Sequence, residues 1–259
     1  MIELTFWGVR GTIPTPVAEN LGYGGNTACI AIRCADQPLL IFDAGTGIRA
    51  LGNILSEAAP LNLFLTHFHW DHIQGIPSFA PIQNATIHSS ATPAELERIL
   101  AAQMQPPFYP VPMPATPDYQ QIHKTARIGD LDVRPFPLHH PNGATGYRIE
   151  YSNAAIVYAS DHEHGQASTD AMVLEYSRDV DILIYDAQYT PEEYEHRRGW
   201  GHSTWREAVK LAQDAHVRQL ILFHHDPQRT DPELDAIARE AQREFPNTIA
   251  AREGWSTSL

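Results

Sequence analysis

The sequence predicts a mixed α/β fold, and three observations carry that prediction. Short apolar runs bounded by turn residues recur along the chain, as buried strands do. Amphipathic stretches with helical spacing lie between them. The chain has 259 residues, of which 43% are apolar, enough for a sizeable core within one large domain.

Taken in order, "LLIF" at 39–42 reads as a buried strand and 46–57 has helical periodicity. "LNLFL" at 61–65 is a second strand, and 92–104 a second helix. The segment "QPPFYPVPMPATP" at 105–117 has too many prolines for either element and reads as an ordered loop or lid. "AAIVYAS" at 154–160 and "DILIYDA" at 181–187 are strands. A helix over 203–215 opens with the capping signal Ser203-Thr204, "QLILFHH" at 219–225 is a strand, and Asp231-Pro232 opens a helix over 231–243. No low-complexity linker interrupts this order, so residues 1–259 are read as one domain. "LFLTHFHWDH" and "LILFHHDP" both set histidines directly past a buried strand, which hints at two similar halves facing each other.

Charge narrows the partners. Eighteen Lys and Arg stand against 31 Asp and Glu, for a net −13, and the only lysines are Lys124 and Lys210. The longest basic run is Arg197-Arg198, so nothing tracks a long phosphate backbone and long nucleic acid is disfavoured. No apolar run approaches the roughly 18 residues of a membrane span, so no membrane partner is expected. The N-terminus lacks a basic segment followed by an apolar one, which makes the cytoplasm the expected compartment. Cys29 and Cys34 are too few for a disulfide framework and read as two buried thiols.

The sharpest signal is "LFLTHFHWDHIQGIP" at 63–77, where three histidines and an aspartate fall within six positions past an apolar run. Residues two apart at a strand end point to the same side, so His67 and His69 can share one ion. The turn into a helix carries Asp71 and His72 round to a second ion. Imidazole nitrogens joined by a carboxylate oxygen fit a catalytic two-metal site. The expected cofactor is therefore two divalent metal ions, zinc first, with manganese or iron suited to the same donors.

At this motif the chain resembles the metallo-β-lactamase superfamily. The resemblance implies an αβ/βα four-layer sandwich, two mixed sheets flanked by helices, with a dinuclear metal site at the strand ends. "FDAGTG" resembles the superfamily's early strand-and-turn motif, whose aspartate, here Asp43, supports the metal loop without binding metal. "PLHHPNGATGYRI" resembles the phosphodiesterase branch, where the next ligand falls on His140, with His139 as the alternative. "VYASDHEHG" resembles the motif whose strand-end aspartate, here Asp161, bridges both ions; His162 and His164 read as exposed or as neighbours of the ligands. Setting "LILFHHDP" against "LFLTHFH" puts His224 in the place of His67, with His225 as the alternative. The implied set is His67, His69 and His140 on one metal, Asp71, His72 and His224 on the other, and Asp161 between them.

"GHST", followed by an amphipathic helix and a strand, resembles the tRNA 3′-processing endonuclease (RNase Z) group and its phosphodiesterase relatives. In that group the histidine, here His202 just ahead of the capped helix, contacts the scissile phosphate and assists the leaving group, with an acidic partner corresponding to Asp186. The bland alternative is that Ser203 or Thr204 caps the helix and His202 merely precedes it. Asp71 would hold a metal and orient the attacking hydroxide, so the catalytic set is Asp71, His202 and Asp186. The long, often basic arm with which those endonucleases grip tRNA has no counterpart here, and with the net −13 this points to a small phosphodiester. "FWGVRGTIPTP" and "YGGNT" resemble proteins grouped with cyclic-nucleotide phosphodiesterases, anti-Pycsar enzymes included. The expectation is a dinuclear metal-dependent phosphodiesterase opening a cyclic nucleotide to a nucleoside monophosphate. An RNase Z-like endonuclease and a metal-dependent lactonase or esterase are the alternatives, and a complete donor set disfavours a non-catalytic nucleotide sensor. Relatives in this branch are commonly homodimers, and the aromatics of "FYPVPMP" and "FWGVRG" are candidate interface residues.

Overall fold

The computed structural model describes residues 1–56, 60–113 and 117–259. The first half supplies β1 (Ile2–Gly8), β2 (Cys29–Cys34), β3 (Leu39–Phe42), α1 (Ile48–Gly52), β4 (Leu61–Phe64), α2 (Trp70–Ile73), β5 (Ala85–Ser89), α3 (Pro93–Gln103) and β6 (Asp118–Gln121). The second supplies β7 (Ala126–Ile128), β8 (Leu131–Leu138), β9 (Ala144–Tyr151), β10 (Ala154–Ala159), α4 (Ala167–Ser177), β11 (Ile182–Asp186), α5 (Pro191–Tyr194), α6 (Trp205–Asp214), β12 (Gln219–Phe223), α7 (Asp231–Glu244) and β13 (Thr248–Ala250). The last strand, β14 (Ser256–Ser258), returns to pair with β1. Two seven-stranded sheets result, ordered β14-β1-β2-β3-β4-β5-β6 and β13-β12-β11-β10-β9-β8-β7.

Each sheet begins as an antiparallel meander and continues as parallel strands. β1 to β3 are antiparallel and β3 to β6 parallel, while β7 to β10 are antiparallel and β10 to β13 parallel. The two halves thus share a plan, and their parallel strands end at the site.

Strand alternation builds the layers. In β12, Ile221 and Phe223 join Phe6, Phe42, Phe64 and Tyr158 in the core between the sheets. Leu220 and Leu222 face the other way, onto Ala208, Val209 and Leu234 of α6 and α7. In β4, Phe64 points to the inter-sheet core and Leu61 and Leu63 pack with Leu51, Leu96 and Leu100 of α1 and α3. Each such side chain is worth about 1.5–3 kcal/mol when buried. Phe223→Ala would cost about 3–5 kcal/mol because the surrounding aromatics cannot close the cavity. The arrangement is the expected four-layer sandwich of two mixed sheets flanked by helices.

Helix starts follow their caps. Thr204 is the N-cap of α6, its hydroxyl accepting from the Glu207 amide at 3.2 Å. Ahead of α7, the Glu233 carboxylate accepts from both the amide and the hydroxyl of Thr230 at 2.8 Å, so Thr230 caps a helix that the sequence opens at Asp231. The helix expected over 46–57 is shorter: it ends at Gly52 and Asn53, both poor helix formers, and residue 57 lies outside the described residues. Strands expected at 61–65, 154–160, 181–187 and 219–225 end one or two residues earlier, because the chain turns there to present side chains at the sheet edge. Of the proline-rich segment, residues 105–113 form neither strand nor helix, with the Tyr109 hydroxyl donating to the Pro77 carbonyl at 3.0 Å; residues 114–116 lie outside the described residues. Among the described residues, no helix is long and apolar enough to cross a membrane.

Candidate metal centre

The site stands where six strands end. Asp43 follows β3, residues 67–72 follow β4, His140 follows β8, Asp161 follows β10, Asp186 closes β11 and His224 follows β12. Asp43, Asp161 and His224 have φ of 60°, 61° and 59°. This left-handed conformation is costly outside glycine and gathers at functional sites, where it turns a side chain across a strand end.

The sequence-predicted donors fall into two groups. His67, His69 and His140 bring ligand atoms within 4.8 Å of one another, and Asp71, His72, Asp161 and His224 do the same. Asp161 lies between them: one oxygen is 3.9 Å from His67 Nε2 and 3.6 Å from His140 Nε2, the other 3.1 Å from His72 Nε2 and 3.3 Å from His224 Nε2. His139 and His225 stay out of the cluster. His139 Nδ1 bonds the Glu163 carbonyl at 2.9 Å, and His225 Nε2 donates to the Ala251 carbonyl at 2.9 Å. Burial pushes the His225 imidazole down to about 3, which keeps it neutral.

Hydrogen bonds fix which nitrogen of each ring faces inward. His72 Nδ1 donates to Asp43 Oδ2 at 2.8 Å, His224 Nδ1 to Gln188 Oε1 at 2.9 Å, and His140 Nδ1 to the Gly201 carbonyl at 2.7 Å. In each ring Nε2 is left pointing into the cluster. Asp43 stands outside the cluster and accepts from four donors: the Thr66 amide, the Thr66 hydroxyl, His72 and the Tyr158 hydroxyl. Asp71 Oδ2 accepts from the Thr12 amide at 2.6 Å, which ties the first β-strand's exit loop to the site.

A cation fits this arrangement. Among the described residues, His67 Nε2 is buried with no hydrogen-bond partner, although polar atoms in interiors are nearly always paired. His72 Nε2 faces His224 Nε2 at 3.3 Å while the Nδ1 of each ring is bonded to an acceptor, an approach that two lone pairs tolerate only with positive charge between them. The carboxylates call for the same charge. Burial lowers the His72 imidazole's affinity for a proton, but Asp161, Asp43 and Asp71 outweigh burial and hold it well above its ordinary value. Burial, and then the neighbouring His72, keep His67 well below its own. A nitrogen-rich pair of groups with one carboxylate between them is a donor set that suits divalent cations.

Beside the second group, His202 Nδ1 donates to Asp186 Oδ2 at 2.8 Å, and Asp186 Oδ1 accepts from the Ser203 amide at 3.2 Å. Burial works against the imidazolium, but the charge and hydrogen bond of Asp186, joined by Asp161 and Asp71, push His202 up to about 9. His202 stands two residues ahead of the N-cap Thr204, stacked on His224 with ring centroids 4.9 Å apart. A cleft of about 550 Å³ opens beside the first group, lined by His67, Phe68, His69, Ile122, Asn142 and Thr145.

Several contributors were missed in the sequence. Gln188 and Thr12 act on His224 and Asp71 through a side-chain amide and a backbone amide, and neither residue type signals such a role. His162, which the sequence places as exposed or as a neighbour of the ligands, is the latter: it is buried, accepting from the His139 amide at 3.1 Å and bonding Asp170 at 3.2 Å. Phe6 of "FWGVRG" is buried and stacks on Trp255, which removes it from any interface, whereas Phe108 is 82% exposed.

Comparison with known proteins agrees with the geometry. A family described as "Beta-lactamase superfamily domain" matches residues 39–225. A Ribonuclease Z of Thermoplasma acidophilum is 23% identical over 305 aligned positions covering 97% of this chain and 94% of its own. The metallo-beta-lactamase fold protein YhfI of Bacillus subtilis superposes with a TM-score of 0.75 at 18% identity, over 99% of this chain and 98% of that one. A structure described as a new diphosphatase from the PhnP family superposes with a TM-score of 0.73 at 19% identity, over 100% and 98%. A match over most of the chain, a shared four-layer fold and clustered histidines and aspartates at the strand ends converge: the chain belongs to the metallo-β-lactamase superfamily, with ribonuclease Z-like proteins among its relatives there.

Proposed function

We propose that this protein is a metal-dependent phosphodiesterase whose substrate is a small phosphodiester, a cyclic nucleotide first, opened to a nucleoside monophosphate. The observation that carries the reading is the Asp186–His202 pair, 2.8 Å apart at the edge of a two-group donor cluster. A departing ribose oxygen needs a proton, and an imidazolium held at that edge can supply it.

His67, His69 and His140 would hold one divalent ion and Asp71, His72 and His224 the other, with Asp161 shared. Two such ions supply an acidified water as nucleophile and neutralise phosphate charge. Asp71, steadied by the Thr12 amide, orients the attacking water. As the new P–O bond forms and the ring P–O bond breaks, His202 passes its Nε2 proton to the departing ribose oxygen while Nδ1–H stays on Asp186; solvent reprotonates the ring.

Size supports a small substrate. The cleft of about 550 Å³ is within the range of small-molecule sites. The Thermoplasma relative aligns over 305 positions against 259 residues here, so it carries stretches this chain lacks. A second reading, RNase Z-like tRNA processing, is favoured by the names of the curated relatives. The first reading takes zinc as the metal, residues 1–259 as one domain acting in the cytoplasm, and a homodimer as the assembly, with exposed Phe108 and Val111 as apolar surface. The test is a panel of cyclic mononucleotides, bis-nitrophenyl phosphate, pre-tRNA and acyl-lactones offered to the zinc-loaded protein. Fastest turnover of a cyclic mononucleotide is expected; fastest cleavage of pre-tRNA or of a lactone sinks the reading.

A further inference from the structure

Glu163 belongs to none of the donor groups, yet its carboxylate is taken up by one loop of the site and by the tyrosine that closes α5. It is 5% exposed, and its Oε1 accepts from the Gly199 amide at 2.6 Å and the Tyr194 hydroxyl at 3.0 Å. Its Oε2 accepts from the Gly201 amide at 2.7 Å. The Glu163 amide donates in turn to the His139 carbonyl at 2.8 Å, which fixes the residue to the segment carrying His140.

The loop needs such a hold. Gly199 and Gly201 have φ of +83° and +89°, and Trp200 between them is 62% exposed, so the segment has little burial to anchor it. Left-handed φ is open to glycine at no steric cost, and it turns both amides toward one carboxylate. A Cβ at Gly201 would fall 2.3 Å from His140 Nδ1, so the backbone must pass bare against that ring. The Gly201 carbonyl, part of the peptide that leads into His202, accepts the His140 Nδ1 proton at 2.7 Å. One carboxylate therefore holds the residue whose carbonyl orients His140 and whose next neighbour is His202.

We propose that Glu163 is a positioning residue for the departing-oxygen step: by clamping the Gly199 and Gly201 amides it fixes the loop that delivers His202. The proposal rests on the reading of His202 as the proton donor. Charge-assisted bonds from backbone amides to a buried carboxylate are stronger than neutral ones, and glutamine keeps the shape while losing one acceptor and the charge.

Glu163→Gln and Glu163→Ala are compared with His202→Ala and with the His202→Ala/Glu163→Gln double variant. The readouts are zinc content, thermal unfolding, exchange of the Gly199 and Gly201 amides in the metal-free protein, and turnover of a cyclic nucleotide and of bis-nitrophenyl phosphate. Glu163→Gln is expected to fold, to retain zinc and to exchange those two amides faster. It should lose about tenfold or more on the cyclic nucleotide and less on the nitrophenyl ester, the scale usual for residues that orient a functional side chain. In the His202→Ala background it should add nothing. Unchanged amide exchange, equal losses on both esters, or full additivity with His202→Ala overturns the clamp while His202 stands as the acid. Equal losses on both esters for His202→Ala itself remove the acid and the clamp together.

Discussion

The Nε2 atoms of His72 and His224 face each other at 3.3 Å, from opposite halves of the chain, with the Nδ1 of each already bonded to an acceptor. Asp43 accepts the Nδ1–H bond of one and Gln188 that of the other. Positive charge must therefore lie between the rings, a proton in the metal-free protein or a metal ion in its place.

Metal content follows directly. The zinc-loaded protein is expected to hold close to two divalent ions per chain by elemental analysis, and His67→Ala or Asp161→Ala to lose at least one. Asp161→Ala should do the greater damage, since that carboxylate lies within 3.9 Å of nitrogens in both groups. Full activity in a strong chelator, with no bound metal, contradicts the assignment.

Gln188 offers a test of the orienting bonds. Gln188→Ala frees the His224 ring to rotate and removes the acceptor that leaves Nε2 inward. Affinity for the second ion, measured by competition with a chromophoric chelator, is expected to fall about 10–100-fold. Unchanged affinity would mean that the packing around His224, not the amide, sets its orientation.

His202→Ala is expected to leave metal content intact and to lower turnover of a cyclic nucleotide by about a hundredfold or more, the scale of a lost general acid. The loss should shrink with a nitrophenolate leaving group, which departs without a proton. Asp186 holds the metal-free imidazolium up to about 9, and nearby cations draw that value down. With the cyclic nucleotide, the descending limb of the pH profile should therefore fall at or below pH 9 and vanish in the variant. Equal losses on both esters would make His202 a phosphate-positioning group.

His88 supplies a pH dependence outside the donor groups. Burial lowers it to about 4; its Nε2 donates to Asn62 at 2.9 Å and its ring stacks on Phe64. Unfolded, a histidine binds its proton near 6.5. Between those values the unfolded chain holds the extra proton, so stability rises with pH across this window and is lost as pH falls from about 6.5 to 4. In the metal-free protein, His88→Gln is expected to flatten the fall in Tm between pH 7 and pH 5. An identical slope would show that other groups carry it.

The sequence by itself determined the chemistry on offer and the layers that carry it. "HFHWDH" past an apolar strand names donors at a spacing that only a strand end followed by a helix can use, and the alternation in "QLILF" dictates which side chains meet helices and which meet the other sheet. The motifs favoured His140 and His224 but left His139 and His225 open, and tertiary structure decided which member of each adjacent pair enters the cluster. Alternation assigns faces only while the strand lasts, and His224 sits at φ 59°, where a left-handed turn breaks that rule and sends His225 away to Ala251. The bonds from Gln188, Thr12 and Glu163 lay beyond the sequence for a related reason. An amide or carboxylate that orients a neighbour has no preferred spacing from it, because the contact is made across the sandwich and not along the chain.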